Sequence, residues 1–277
     1  RNLFEDINTF NEIRQKADLE GKGLYRVLYM KQFIDGTPAN FTGMLLEDYS
    51  DNPGEKGKAT IDLDKMAAAI ETATENNISV RLHSCGDRSC REAINAYENA
   101  LKKFPETESR HMVEHLELVD PNDIPRFGQL GIICSIQPEH LAAGTMKWEE
   151  NCYPEKLGPE RERYTWPFKQ LKDNGAVLAG GTDCPVVEGN LFWGMYAGNT
   201  RKYYDDIPEG GWNPQEKLTM PEMIDMFTSG AAYAEHRENE LGTLEAGKLA
   251  DITVVDRNLL ELEENPDIRD TKVLLTM

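Results

Sequence analysis

Short apolar segments alternate with amphipathic segments along most of this sequence, and this alternation restricts the possible folds more than any other feature. Segments rich in β-branched and aromatic residues predict strands at 24–34, 78–83, 111–114, 132–137 and 176–180. Segments with helical periodicity predict helices at 4–19, 61–77, 89–104, 122–130, 166–174 and 221–235. Strands that alternate with helices in this way are typical of βαβ units and a parallel sheet.

The number of strands is small for the length of the chain. A (β/α)8 barrel needs about 250 residues, so a chain of 277 residues is long enough to hold one. The pattern nevertheless predicts only the five strands given above, and the chain begins at Arg1, inside a predicted helix, without a methionine. We therefore expect an α/β protein that is the C-terminal part of a TIM-like barrel.

The last 36 residues have a different character. Residues 252–255 and 272–276 predict a pair of antiparallel strands that does not follow the alternation of strands and helices. We therefore predict a boundary near residue 240, with one unit at 1–240 and a second unit of β-strands at 241–277.

The charge balance excludes some classes of partner. The chain has 30 lysines and arginines against 49 aspartates and glutamates, so its formal net charge is 30 − 49 = −19. An acidic surface repels phosphate backbones and anionic lipid headgroups, which argues against nucleic acid and membranes as partners. The five cysteines are an odd number in a large chain and do not suggest a disulfide framework, so we expect a cytoplasmic location.

Three polar residues follow predicted strands at the same relative position. His83, His115 and Asp183 each lie at or directly after the end of an apolar strand. The carboxyl ends of barrel strands carry the active site, so these side chains are expected to converge. Imidazole nitrogens and a carboxylate are common ligands of a divalent metal ion, which lowers the pKa of bound water toward about 7. A nearby carboxylate can take the proton of that water and pass it to a leaving group.

Five motifs occur in a fixed order along the chain. They are HSCGDR (83–88), RHMVEH (110–115), SIQPEH (135–140), GGTDCPV (180–186) and GTLEAGKLAD (242–251). Together they resemble the metal-dependent amidohydrolase superfamily, in the branch called amidohydrolase family 3. The resemblance extends from about Lys31 to the C-terminus. It implies a distorted barrel, of which this chain would hold about strands 4–8, and a small β-sandwich built from both ends of the chain.

The resemblance also implies a role for individual residues. His83 and His115 match the metal ligands of strands 5 and 6, and Asp183 matches the strand 8 ligand and general base. Lys31, in YMKQFIDG (29–36), matches the strand 4 lysine, which in some relatives is carboxylated and bridges two metal ions. The implied cofactor is one or two divalent ions, most naturally zinc. The sequence departs from the family in one respect, because the His-x-His pair of strand 1 is absent from it.

These features predict a function together with two alternatives. The predicted function is metal-dependent hydrolysis of an amide-type, non-peptide carbon–nitrogen bond in a small molecule, with His140 contacting the substrate. We expect the chain alone to be inactive or weakly active, since it lacks the strand 1 ligands. One alternative is a catalytically silent truncated barrel, and the other is a metal-free barrel lyase or isomerase. A partial barrel has open sheet edges, so we also predict a homo-oligomer.

Overall fold

A parallel sheet of five strands forms the centre of the computed structural model, which describes residues 6–21, 26–142 and 146–277. Its strands are hydrogen-bonded in the order in which they occur in the chain. Each adjacent pair is parallel. The strands are β1 (Tyr29–Phe33), β2 (Ser79–Ser84), β3 (Met112–His115), β4 (Ile133–Ile136) and β5 (Leu178–Gly180). The predicted α/β class is confirmed, whereas closure into part of a barrel stays a prediction.

The helices that alternate with these strands follow the predicted segments closely. They are α1 (Ile7–Gly21), α2 (Leu63–Glu75), α3 (Asp87–Lys103), α4 (Ile124–Leu130) and α6 (Phe168–Asp173). Local signals explain their ends. The carboxylate of Asp62 accepts hydrogen bonds from the first turn of α2, and Gly131 ends α4 in the left-handed conformation. Residues 4–5 of the first predicted helix and 24–25 of the first predicted strand lie outside the described ranges.

The two faces of the sheet differ in what they contact. Met30, Val80, Val113 and Cys134 point to the face that packs against the helices and form the main hydrophobic core there. The opposite face has a smaller apolar cluster of four buried residues, which are Met112, Ile133, Ala179 and Ala234. The same face holds a polar pair, in which Nε of Arg81 lies 2.7 Å from Oε1 of Glu114.

Two helices were not predicted, and the last predicted helix is divided. The new helices are α5 (Tyr153–Glu162) and α7 (Leu191–Thr200). The segment predicted as one helix at 221–235 forms α8 (Met220–Asp225), a π-helical turn (Met226–Gly230) and α9 (Ala231–Ala234). Gly230 in this turn packs directly against the backbone of β5.

The tail forms the antiparallel pair that the sequence predicts. β6 (Thr253–Val255) pairs with β7 (Val273–Thr276) in a separate two-stranded sheet. All four residues of β7 are exposed. The domain boundary near residue 240 stays a prediction. Among the helices of the described ranges, none combines the length and the apolar composition needed to cross a bilayer.

Candidate metal centre

Three histidines and an aspartate meet at the carboxyl edge of the sheet. His83 is the fifth residue of β2, and His115 is the last residue of β3. His140 lies in a short 3-10 turn, Pro138–Ala142, that follows β4. Asp183 lies in the loop after β5. Neighbouring parallel strands end at the same edge, which brings His83 and His115 together, and the turn after β4 and the loop after β5 add His140 and Asp183.

The distances between these side chains are short enough for several of them to bind the same metal ion. The ring centroids of His83 and His115 are 4.3 Å apart, and those of His115 and His140 are 5.6 Å apart. One ligand atom from each of His115, His140 and Asp183 lies within 4.8 Å of the other two. Ligands that bind one zinc ion at about 2 Å each must approach one another to this degree.

Lys31 lies on β1, next to the strand that carries His83. It is in the middle of β1, in register with Arg81 of β2. Its amine is 5.1 Å from the ring centroid of Phe33, and that ring is 4.5 Å from the ring of His83. Partial burial lowers the pKa of Lys31, while the carboxylates of Glu114 and Asp183 oppose this shift. Lys31 therefore interacts electrostatically with the carboxylate of Asp183.

The backbone is unusual at two of the candidate ligands. His115 has φ = 76°, and Asp183 has φ = 57°. Residues with side chains rarely adopt this left-handed region, and each instance costs about 1–3 kcal/mol. Such residues cluster at functional sites, where the surrounding structure holds them in place. Nine other non-glycine residues of the described ranges also have positive φ, so this conformation by itself does not distinguish the two candidate ligands.

Burial keeps the three imidazoles neutral, which is the state that binds a metal. It lowers the pKa of His83 to about 4, and it also lowers the pKa values of His115 and His140. Nδ1 of His83, Nδ1 of His115 and Nε2 of His140 are buried and have no hydrogen-bond partner within the described structure. Buried polar atoms without a partner are costly. Two of these histidines, His115 and His140, cluster with Asp183, and His83 contacts His115, which is an arrangement that fits a divalent cation.

Asp35 accepts hydrogen bonds from the loops next to the site, and these bonds leave it unavailable as a metal ligand. Its carboxylate accepts hydrogen bonds from the backbone N–H groups of Met44, Cys85 and Gly86 and from the hydroxyl of Ser89. Burial raises the pKa of Asp35 to about 6, and these hydrogen bonds oppose the shift. An oxygen of Asp35 lies within 4.8 Å of ligand atoms of His83 and Cys85. The four donors already use its lone pairs.

The sequence-predicted residues differ in where the structure places them. The ring of His83 contacts that of His115, and His115 clusters with Asp183, whereas the ligand atom of His83 groups with Asp35 and Cys85. Lys31 lies on the neighbouring strand, and the four residues stay predicted metal ligands. His140 was predicted to contact substrate, and the structure places it within the ligand-atom cluster. The roles of Asp35 and Cys85 behind the site were not predicted. The only available signal was their position beside strand ends, in the motifs that contain Lys31 and His83.

Comparisons with known proteins find a family and several relatives that match most of this chain. A family with the description "Amidohydrolase family" matches residues 5–277. Protein LONG AFTER FAR-RED 3 of Arabidopsis thaliana is 29% identical over 263 residues, which cover 92% of this chain and 43% of that protein. YtcJ of Bacillus subtilis (strain 168), a proposed amidohydrolase by its name, is 29% identical over 227 residues, which cover 82% of this chain and 41% of that protein.

A solved structure has the same fold over most of this chain. It is the crystal structure of an uncharacterized metal-dependent hydrolase from Pyrococcus furiosus, with a TM-score of 0.73 and 26% sequence identity. The match covers 90% of this chain and 49% of that protein. The chain thus spans less than half the length of these relatives.

Proposed function

The chain belongs to the amidohydrolase family, and from this premise we propose that it is part of a metal-dependent hydrolase that cleaves an amide-type, non-peptide carbon–nitrogen bond of a small molecule. The observation that carries the proposal is the set of three unpartnered imidazole nitrogens, two of which belong to histidines whose ligand atoms cluster with that of Asp183. Two relatives support it, since one is named an amidohydrolase and the other is described as a metal-dependent hydrolase.

The residues of the site have distinct roles in this proposal. His83 and His115 hold a divalent ion, most naturally zinc, and His140 adds a third nitrogen that either binds the ion or contacts the substrate. A divalent ion held there would supply Lewis acidity for the substrate carbonyl and lower the pKa of a bound water. The carboxylate of Asp183 takes a proton from that water and delivers it to the leaving nitrogen. Lys31 adds a positive charge at the edge of the site.

Metal binding is the first test of this proposal. Zinc titrated into the chain and followed by calorimetry should bind with a stoichiometry of one or two ions. His115→Asn and Asp183→Asn should each weaken binding by about tenfold or more, because each removes a ligand. His236→Asn is the matched control, since His236 lies outside the cluster. Equal affinity in all four proteins would contradict the proposed site.

Activity is the second test, and it belongs to the whole protein that contains this chain. A panel of N-substituted amides should be hydrolysed, and Asp183→Asn should lower kcat by about 100-fold or more, since it removes the general base. Activity that survives complete chelation of metals would favour a lyase or isomerase. Zinc binding without turnover on any substrate would favour a catalytically silent module.

A further inference from the structure

We propose that Cys85, Glu117 and Tyr153 form a positioning network behind His83, which fixes its imidazole so that Nδ1 faces the metal ion. The inference rests on the proposed function, because it assigns a purpose to residues that do not reach the site themselves. It concerns the orientation and tautomer of one ligand, and neither is given by the identity of the ligand.

The contacts of His83 establish which nitrogen carries the proton. Nε2 lies 3.3 Å from the carbonyl oxygen of Gly36 and 3.3 Å from Sγ of Cys85. A carbonyl oxygen only accepts hydrogen bonds, so Nε2 is the protonated nitrogen. Nδ1 is then the nitrogen with a free lone pair, and it is buried without a hydrogen-bond partner in the described structure. The ring is therefore in the form that binds a metal through Nδ1.

The network continues from the thiol to a buried carboxylate. The fully buried side chain of Cys85 lies near the buried carboxyl group of Glu117, whose pKa burial raises to about 7, and the nearby thiol opposes this shift. The hydroxyl of Tyr153 donates to Oε2 of the same carboxylate at 2.5 Å. A thiol can accept one hydrogen bond and donate another. The single Nε2–H of His83 lies between two acceptors, the carbonyl oxygen of Gly36 and Sγ of Cys85, which leaves the S–H of Cys85 free to donate to Glu117.

The far end of the network is held rigidly. The ring of Tyr153 packs 4.8 Å from the ring of Trp166, and the backbone N–H of Trp166 donates to the backbone carbonyl of Glu117. Glu117 follows β3 by two residues, so the network joins three elements behind the sheet edge. A carboxylate behind a ligating histidine fixes the ring and raises its basicity, and losing such a partner typically weakens metal binding by 10- to 100-fold.

The geometry separates this role from direct ligation by Cys85. Sγ of Cys85 contacts the Nε2 side of the ring, whereas Nδ1 is the free nitrogen. A metal ion bound at Nδ1 is therefore on the side of the ring away from that contact. The carboxylate of Asp35, the other group near Sγ, already accepts four hydrogen bonds. Cys85 is thus placed to support His83 and not to share its ion.

Zinc affinity measured by competition with a chelator tests the network in the chain. Glu117→Gln and Cys85→Ala should each bind zinc about 10- to 100-fold more weakly. Glu216→Gln and Cys90→Ala are matched controls, because Glu216 and Cys90 are equally buried and contact neither His83 nor Glu117. The controls should change the affinity by less than about threefold. Circular dichroism checks that all four variants are folded.

A double variant separates positioning from a general loss of structure. In a His83→Asn background, Glu117→Gln should cause no further loss of zinc affinity, because the network acts through that ring. An equal loss in both backgrounds would overturn the inference. Cobalt substituted for zinc should show no sulfur-to-cobalt charge-transfer band, and a band that disappears in Cys85→Ala would make Cys85 a ligand instead.

The metal-free chain provides a separate measurement. Nitrogen-15 spectra of the imidazoles should show His83 protonated at Nε2, and protonation at Nδ1 would overturn the inference even if zinc binds. A parent chain with the Nε2 tautomer and no affinity for zinc contradicts the proposed function. A zinc-binding parent whose Glu117→Gln variant behaves like Glu216→Gln contradicts the network alone.

Discussion

His111 illustrates how burial alone determines the charge of a side chain away from the candidate metal centre. Its ring stacks on Tyr97 at a centroid distance of 4.6 Å. Nδ1 accepts a hydrogen bond from the backbone of Val80, and Nε2 lies 3.0 Å from the hydroxyl of Thr74. Burial lowers the pKa of His111 from 6.5 to about 3. The ring therefore stays neutral in the folded protein throughout the mildly acidic range.

This shift predicts a loss of stability in acid. Below pH 6.5 His111 becomes protonated in the unfolded chain but stays neutral in the folded chain. The free energy of unfolding therefore falls as the pH drops from 6.5 toward 3. At about pH 4.5 the difference amounts to about 2–3 kcal/mol. His111→Asn keeps an acceptor for Val80 and removes the titrating group. Urea unfolding at about pH 7 and pH 4.5 should show a smaller decrease in the variant than in the parent.

An equal decrease in the free energy of unfolding in the parent and the variant would contradict this account. It would show that groups other than His111 cause the acid sensitivity. His111→Asn is itself expected to be less stable than the parent near neutral pH, because it loses the stacking on Tyr97. The comparison therefore concerns the difference between the two pH values within each protein.

Individual residues of the site were predictable where a strand end marks them. His83, His115 and Asp183 follow apolar segments, and parallel pairing then brings strand ends together. His140 lies beyond a proline, in a turn whose direction the sequence does not specify, so its arrival among the ligand atoms could not be predicted. Asp35 was missed because its four hydrogen-bond donors come from residues up to 54 positions away.

At the scale of elements, the unpredicted helices contain residues that usually interrupt helices. Gly194 and Gly198 lie within α7, and added Cβ atoms there would approach Phe227 at 3.4 Å and Met223 at 2.7 Å. The two glycines let α7 pack closely against its neighbours, which is a tertiary effect that local propensity does not contain. In α5, the chain leaves the helical conformation at Gly158, which has φ = 71°.

The π-helical turn between α8 and α9 depends on one small residue. A Cβ atom on Gly230 would lie 2.0 Å from the carbonyl oxygen of Leu178 in β5. Gly230→Ala must therefore push this turn away from the sheet, and we expect it to lower the free energy of unfolding by about 1–3 kcal/mol. Thermal and urea unfolding measure the change.

Gly181→Ala is the control for this prediction, because a Cβ atom at Gly181 meets nothing within 4 Å. It should change stability by less than about 0.5 kcal/mol. A Gly230→Ala variant as stable as Gly181→Ala would show that the turn and the strand can separate without cost.

At the scale of the whole molecule, two features have opposite effects on self-association. The open side of the sheet, formed by its edge strands β1 and β5, favours association, and the high negative charge opposes it. Within the described ranges, β1 and β5 are each hydrogen-bonded to one neighbouring strand. Phe33 in β1 is 49% exposed beside the site. Open edges and exposed apolar side chains favour association, whereas a charge of −19 on each copy opposes it.

We therefore predict that the chain self-associates through this open side and that salt strengthens the association. Screening shortens the range of the repulsion to about 10 Å at 0.1 M salt. Sedimentation velocity over a range of protein and salt concentrations should show a larger species, and Phe33→Gln should weaken its formation. Ile13→Gln removes an exposed apolar side chain from α1 instead and should have no effect. A monomer under all these conditions would contradict the prediction.

The hydrogen bonds to Asp35 have a consequence for the motions of the molecule. One carboxylate binds the backbone amides of Met44, Cys85 and Gly86, which belong to two loops far apart in the chain. Opening either loop exposes the same carboxylate, so the two loops should open as one unit. In hydrogen–deuterium exchange, these three amides should exchange at similar rates and slow down together when zinc is added. Zinc binding would then reduce the opening of both loops to the same extent.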